Sequence, residues 1–84
     1  MNKMEIFTKI EQEREKQDLE WGGAIHDDEH SLEDWIDFID AQINRAEECE
    51  STNLLCARER LIKVAALAVA AIESLDRKIG KDEK

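Results

Sequence analysis

The sequence predicts an all-α fold: a three-helix unit, made of an N-terminal helix plus an antiparallel helical hairpin, in a symmetric homo-oligomer. Three observations carry that expectation. The chain has no proline and is rich in Glu, Lys, Ala and Leu, which favour helices. Its apolar residues recur at three- and four-residue spacing. Its 84 residues form one short domain, 1–84, with aromatics at only 5%. A chain of this length buries roughly 60–65% of its unfolded surface. With so few large side chains a lone unit would be marginal, so association as a dimer or higher is expected before any motif is read.

The helices are expected at about residues 3–20, 32–49 and 53–79. In the first, Ile6, Phe7 and Ile10 begin a stripe that continues through Arg14, Gln17 and Trp21, turning polar along its length. Gly22-Gly23 and the polar run His26-Asp27-Asp28-Glu29-His30 break the chain. Ser31 is a natural N-cap for the second helix, with Asp34 at the capping-box position. On a wheel of about 100° per residue, Leu32, Trp35, Ile36, Ile39, Ile43 and Ala46 form its apolar arc, with Gln42 inside the arc and Arg45 at its edge. The third helix can start from Ser51, Thr52 or Asn53 and end in Arg77, Lys78 and Gly80. It is expected to bury Leu54, Leu61, Val64, Ala68, Ile72 and Leu75. Ile62, Leu67 and Val69 lie on other sides, so the helix is apolar nearly all round and should be central. Its alanines allow close helix approach. The short Ser51–Asn53 connection makes the last two helices antiparallel neighbours.

Charge narrows the function. With 21 acidic against 12 basic residues the net charge is −9. Phosphate neutralisation along a nucleic acid needs a basic face, and an anionic membrane repels an acidic chain. A small anion in a local basic pocket is still allowed. Met1–Ile10 lacks the apolar core of a secretory leader, and the longest apolar stretch, Val64 to Ile72, is far too short to span a bilayer. We therefore expect the cytoplasm. Cys49 and Cys56 flank the hairpin turn and are expected to stay as thiols there.

Several segments together resemble a known family. They are Arg14-x-x-Gln17-Asp18-x-x-Trp21-Gly22, then His26-Asp27, then Asp34-Trp35 opening a helix, then the alanine-rich run from Leu61 to Arg77. This looks like the small, often phage-encoded relatives of the MazG-like all-α nucleoside triphosphate pyrophosphohydrolases, over about residues 11–78. The resemblance implies a dimeric or tetrameric helical fold and a Mg²⁺ site of carboxylates on two facing helices. Mg²⁺ demands oxygen ligands and bridges substrate phosphates, and an activated water attacks phosphorus. The positions of this sequence that match those ligands are Ala41, Gln42, Arg45, Arg60 and Lys63. Gln, Arg and Lys in place of acids turn a cation site into an anion site.

The candidate binding set is therefore Arg14, Gln17, Trp21, Gln42, Arg45, Arg58, Arg60 and Lys63. Antiparallel pairing is expected to set residue 45 near 58 and 42 near 61. Arg offers a bidentate partner to phosphate and Lys a point charge. The plainer alternative is a set of surface ion pairs with the many acids. His26 and His30, with Asp34, Asp37, Glu73 and Asp76, make an alternative metal cluster, against an acidic loop and ordinary ion pairs. Trp21 can stack a base or fill volume, and Trp35 fits the core.

The function expected is non-catalytic binding of a nucleotide-like anion on a degraded pyrophosphohydrolase scaffold. No catalytic residue and no cofactor is assigned. If the chain is phage-encoded, it would act in the bacterial host cell by sequestering a nucleotide signal of antiviral defence. The alternatives are a Mg²⁺-dependent pyrophosphohydrolase using Asp34, Asp37, Glu73 and Asp76, and a structural or protein-binding helical module.

Overall fold

The computed structural model describes residues 2–82. Four helices follow one another: α1 (Lys3–Trp21), α2 (Gly23–Asp27), α3 (Leu32–Glu48) and α4 (Leu54–Asp82). No strand occurs among the described residues, and no helix there is long and apolar enough to cross a membrane.

Local chemistry sets the boundaries. The Asn2 side chain caps α1 by accepting from the Glu5 amide at 2.9 Å. Gly22 ends α1 in the left-handed conformation, φ 92°, and Gly23 follows at φ 70°. Two consecutive positive φ values suit glycine alone, and they turn the chain sharply into α2. Where the sequence predicts only a break, the structure coils 23–27 into a short helix. Ser31 and Asp34 form the expected capping box at the start of α3, each side chain bonding the other's backbone N–H. Asn53 caps α4 through the Cys56 amide at 3.2 Å. At its far end α4 runs past Gly80, which keeps a negative φ and does not cap it.

The layering is simple. α4 packs against both α1 and α3, whose backbones do not approach each other closely among the described residues. The centrality expected of the last helix thus holds, but the face it buries differs. The core is Trp35, Leu67, Ala70 and Ala71, with Ala66 and Ser74 also buried and Ile39 packed on the edge. Leu54, Leu61 and Ile72, expected inside, are exposed, and so are Leu32, Ile36 and Ile43 of α3. The reason is packing distance. α4 offers two apolar stripes on opposite sides. Its neighbours settle on the one rich in alanine, where helix axes approach closely and the single large side chain, Trp35, fills the gap.

Cys49 and Cys56 are joined as a disulfide, with Cα atoms 5.9 Å apart, in place of the free thiols expected. Cys49 ends α3 and Cys56 lies in the first turn of α4. A short connection between two antiparallel helices leaves their flanking residues within bonding distance.

An aromatic cleft as candidate functional site

The polar run between α1 and α3 is fastened to α4. The Asp28 carboxylate accepts from Arg77 Nε at 3.0 Å and Nη2 at 2.8 Å, and from the Ser74 hydroxyl at 3.0 Å. Lys78 donates to the His30 carbonyl at 2.6 Å. The Arg77 fork holds the Asp28 carboxyl below its ordinary value, and Asp28 in turn raises Arg77. Its neighbour Asp27 goes the other way. Only 4% exposed, it is pushed up by burial, against a weaker downward pull from Arg14 at 3.8 Å. Asp34 is held down mainly by the backbone N–H of Ser31.

This anchoring sets a row of rings. Trp21 and His26 have centroids 6.4 Å apart, His26 and His30 4.7 Å, and His30 and Trp35 5.4 Å. Phe38 stands edge-on to His30 at 5.0 Å and to Trp35 at 6.0 Å. The edge-to-face arrangement is the favoured one for aromatic pairs. The rings wall a cleft of about 380 Å³, floored by Leu67 and reaching Gln42 and Arg45. The lining is chiefly apolar, with a few polar groups aimed inward, the usual make-up of a small-molecule site.

Among the described residues, three buried side-chain atoms have no hydrogen-bond partner: His26 Nδ1, Trp35 Nε1 and Gln42 Oε1. All three residues line this cleft. His26 Nδ1 is 4.0 Å from Asp27, beyond hydrogen-bond reach. Buried polar atoms are nearly always paired, so three orphans on one cleft are unusual.

Of the expected binding set, the cleft gathers Trp21, Gln42 and Arg45. Arg60 shares with Arg45 a shallower recess beside the disulfide, next to Glu48. Arg45 thus shares a recess with Arg60, and Gln42 shares the cleft with Leu67. The other residues are elsewhere. Arg14 pairs with Asp18 at 3.2 Å and Glu73 at 3.4 Å, and also donates to the Oε1 of buried Gln17. Lys63 is held by Glu13 at 2.8 Å on the α1 side of α4. Arg58 lies on that side too, in a groove with Lys9, Lys16 and Lys63. The alternative carboxylates also spread apart. Asp34 is committed to the capping box and lies 3.6 Å from His30, Glu73 is on Arg14, and Asp37 and Asp76 are exposed. Among the described residues no three His, Cys, Asp or Glu side chains are grouped to hold a metal ion.

Sequence reasoning missed the role of His26, His30 and Phe38 as walls, and gave Trp35 only a core role; it is both core and cleft wall. The signal was there in part: the rings at 35 and 38 fall at three-residue spacing on α3, and those at 26 and 30 lie four residues apart across the end of α2. Comparison with protein-family models, with curated proteins and with solved structures finds no match, so the cleft is read on its own geometry.

Proposed function

We propose that the chain is a non-catalytic module that binds a nucleotide-like anion, its planar base between the aromatic walls and its phosphate toward Arg45 and Arg60. One observation carries the reading: three of the residues that line a single aromatic cleft each hold a buried polar atom without a partner. Leaving a buried donor or acceptor unmet costs about 1–3 kcal/mol each, and a ligand with a hydrogen-bonding edge recovers that cost. Trp35 Nε1 can only donate and so calls for an acceptor, while the Gln42 amide can serve either way. A heteroaromatic base offers both on one edge and stacks on rings. Arg45, at the rim, suits a phosphate through its planar fork.

The absence of catalysis in this reading follows from charge. The positions matching the family's Mg²⁺ ligands carry Ala41, Gln42, Arg45, Arg60 and Lys63, three of them cationic. The ligand is then held and released unchanged. Together with the resemblance to phage-encoded proteins, this makes sequestration of a nucleotide signal the biological role we favour.

Calorimetry against a nucleotide panel that includes cyclic dinucleotides, in EDTA and in Mg²⁺, tests the proposal. We expect binding that is independent of Mg²⁺. Trp35→Phe and Arg45→Ala should each weaken it by roughly tenfold, since a charge-assisted or rescued buried hydrogen bond contributes about 1.5–3 kcal/mol. Pyrophosphate release at roughly 1 s⁻¹ or faster, abolished by Glu73→Ala or Asp34→Ala, would put a Mg²⁺-dependent hydrolase in its place. No heat with any nucleotide would leave the interaction module.

A further inference from the structure

The disulfide joins two sulfurs at helix ends of opposite polarity. Cys49 caps the C-terminal end of α3, and Cys56 sits in the first turn of α4, its amide bonded to the capping Asn53. The carbonyl end of a helix carries partial negative charge and the amide end partial positive charge. Cys49 Sγ also lies 3.4 Å from the Arg45 carbonyl oxygen, which opposes negative charge on that sulfur. When the bond opens, the thiolate therefore rests more easily on Cys56 than on Cys49.

The surroundings are accessible and locally cationic. Both cysteines are half-buried, so neither is sealed in the core. They line a recess of about 330 Å³ together with Arg45, Glu48 and Arg60. In a chain with 21 acidic residues, Arg14, Lys63 and Arg77 are each held by a carboxylate. Arg45 and Arg60 form no ion pair among the described residues, although Glu48 lines the same recess. Two guanidinium forks left unengaged beside a disulfide suit a carboxylate-bearing visitor. A purely structural crosslink has no use for that arrangement, and sealed sulfurs would serve it better.

We propose that Cys49–Cys56 is a reversible redox site that exchanges with a small carboxylate-bearing thiol of the glutathione type, docked on Arg45 and Arg60. In the first step the incoming thiolate attacks Cys49 Sγ. A bond forms between the small thiol and Cys49, the Cys49–Cys56 bond breaks, and its electron pair leaves with Cys56, the better-stabilised thiolate and so the better leaving group. In the second step another small thiolate attacks the sulfur of the first, and Cys49 departs. Two small thiols are thereby oxidised to their disulfide and the protein disulfide is reduced to two thiols. The two protons given up by the incoming thiols balance those taken by Cys49 and Cys56. The reverse sequence re-forms the bond, Cys56 closing it by attack on Cys49. The visitor's carboxylate competes with a nucleotide phosphate for the same two arginines, but the exchange itself needs no nucleotide, so the two readings fail separately.

Exchange kinetics on the oxidised full chain, followed by intact mass, test the proposal. A chain of net charge −9 repels anions and draws cations. An ordinary surface crosslink on it would react faster with cysteamine, a cationic thiol, than with anionic glutathione at equal thiolate concentration. The opposite order is expected here. Arg45→Gln combined with Arg60→Gln should slow glutathione by about tenfold, the lower end of what a charge-focused recess adds to an encounter rate. Cysteamine should not be slowed, and circular dichroism should show the helices kept. Acid quenching early in the reaction should trap the mixed disulfide on Cys49. With one thiol left, the Cys49→Ser chain should be alkylated by iodoacetamide at pH 7 at least about threefold faster than the Cys56→Ser chain, as the opposed helix ends require. Faster exchange with cysteamine, a glutathione rate unmoved by the arginine changes, an adduct trapped on Cys56, or equal alkylation of the two single-cysteine chains would each overturn the proposal.

Discussion

The two ends of the α3–α4 pair are closed by different chemistry. At the hairpin end a covalent bond joins Cys49 to Cys56 across the turn. At the other end no covalent bond fastens the chain, and polar contacts hold the loop: Asp28 with Arg77 and Ser74, and Lys78 with the His30 carbonyl. The cleft lies between them, its rings hung on the polar end and its arginines next to the covalent end. One end therefore answers to reductant and is indifferent to acid, and the other behaves in the opposite way.

The largest effect is expected at the covalent end. Opening a loop of this length costs about 2.5 kcal/mol in the loop-entropy model. Reduction, or paired Cys49→Ser and Cys56→Ser changes, should lower the urea midpoint by a corresponding amount at every pH from 5 to 8. A change in midpoint below the error of the titration would mean that Asn53 and the turn hold that end unaided.

Arg77→Gln should break the polar end. The Asp28 carboxyl is held below its ordinary value, so its contribution is present above about pH 4 and is lost as pH falls through the lower folded value. In the variant, stability at pH 7 should drop and its decline on acidification should flatten. Urea titrations at pH 7 and pH 3, with dithiothreitol absent, check both. Near-ultraviolet circular dichroism of the tryptophans should change as well, because the ring row loses its anchor.

Asp27→Asn sharpens the comparison within one dipeptide. Burial raises the Asp27 carboxyl, so what it contributes is fully present below its ordinary value of 3.8 and is lost as pH rises through the folded value. The amide cannot ionise. The variant should match or slightly exceed wild-type stability at pH 7, and the gain should disappear by pH 3. An equal loss at both pH values would show that the buried carboxylate is better partnered by Arg14 than its 3.8 Å separation implies.

The smallest effect is expected from Lys63→Ala. Its ammonium is neutralised by Glu13 at 2.8 Å, in a groove with α1 and not among the residues that line the cleft. Loss of a partly exposed pair should cost less than about 1 kcal/mol and leave nucleotide affinity at the wild-type value. A tenfold loss of affinity would return Lys63 to the binding set.

The helices could be read from the chain because their ends carry their own chemistry. Ser31 with Asp34, and the polar stop at Ser51–Asn53, are local signals that tertiary packing did not override. The buried face of α4 could not be read in the same way. A helix apolar on both sides gives periodicity no direction, and the choice fell to alanine spacing and to Trp35, a contact between distant segments. The cleft shows the same division. Trp21, Gln42 and Arg45 were selected from the sequence and meet in space. Arg14 and Lys63 were selected on equal grounds and are taken up by Asp18, Glu73 and Glu13, acids whose proximity depends on how α1 lies across α4. His26 and His30 became walls because Asp28 and Lys78 fix the loop from below.

The lack of close backbone approach between α1 and α3 bears on when the chain can fold during synthesis. Most of what these two helices pack against belongs to α4, which the ribosome makes after both. As α1, α2 and α3 emerge they have only the small α1–α2 contact among themselves, and isolated helices of this length are marginal in water. Order should therefore arrive late and in one step, once the alanine-rich stretch around 66–74 is free to be clasped from both sides. A nascent chain arrested near Asn53 would be open to protease along its whole length, and one released beyond Lys81 would not.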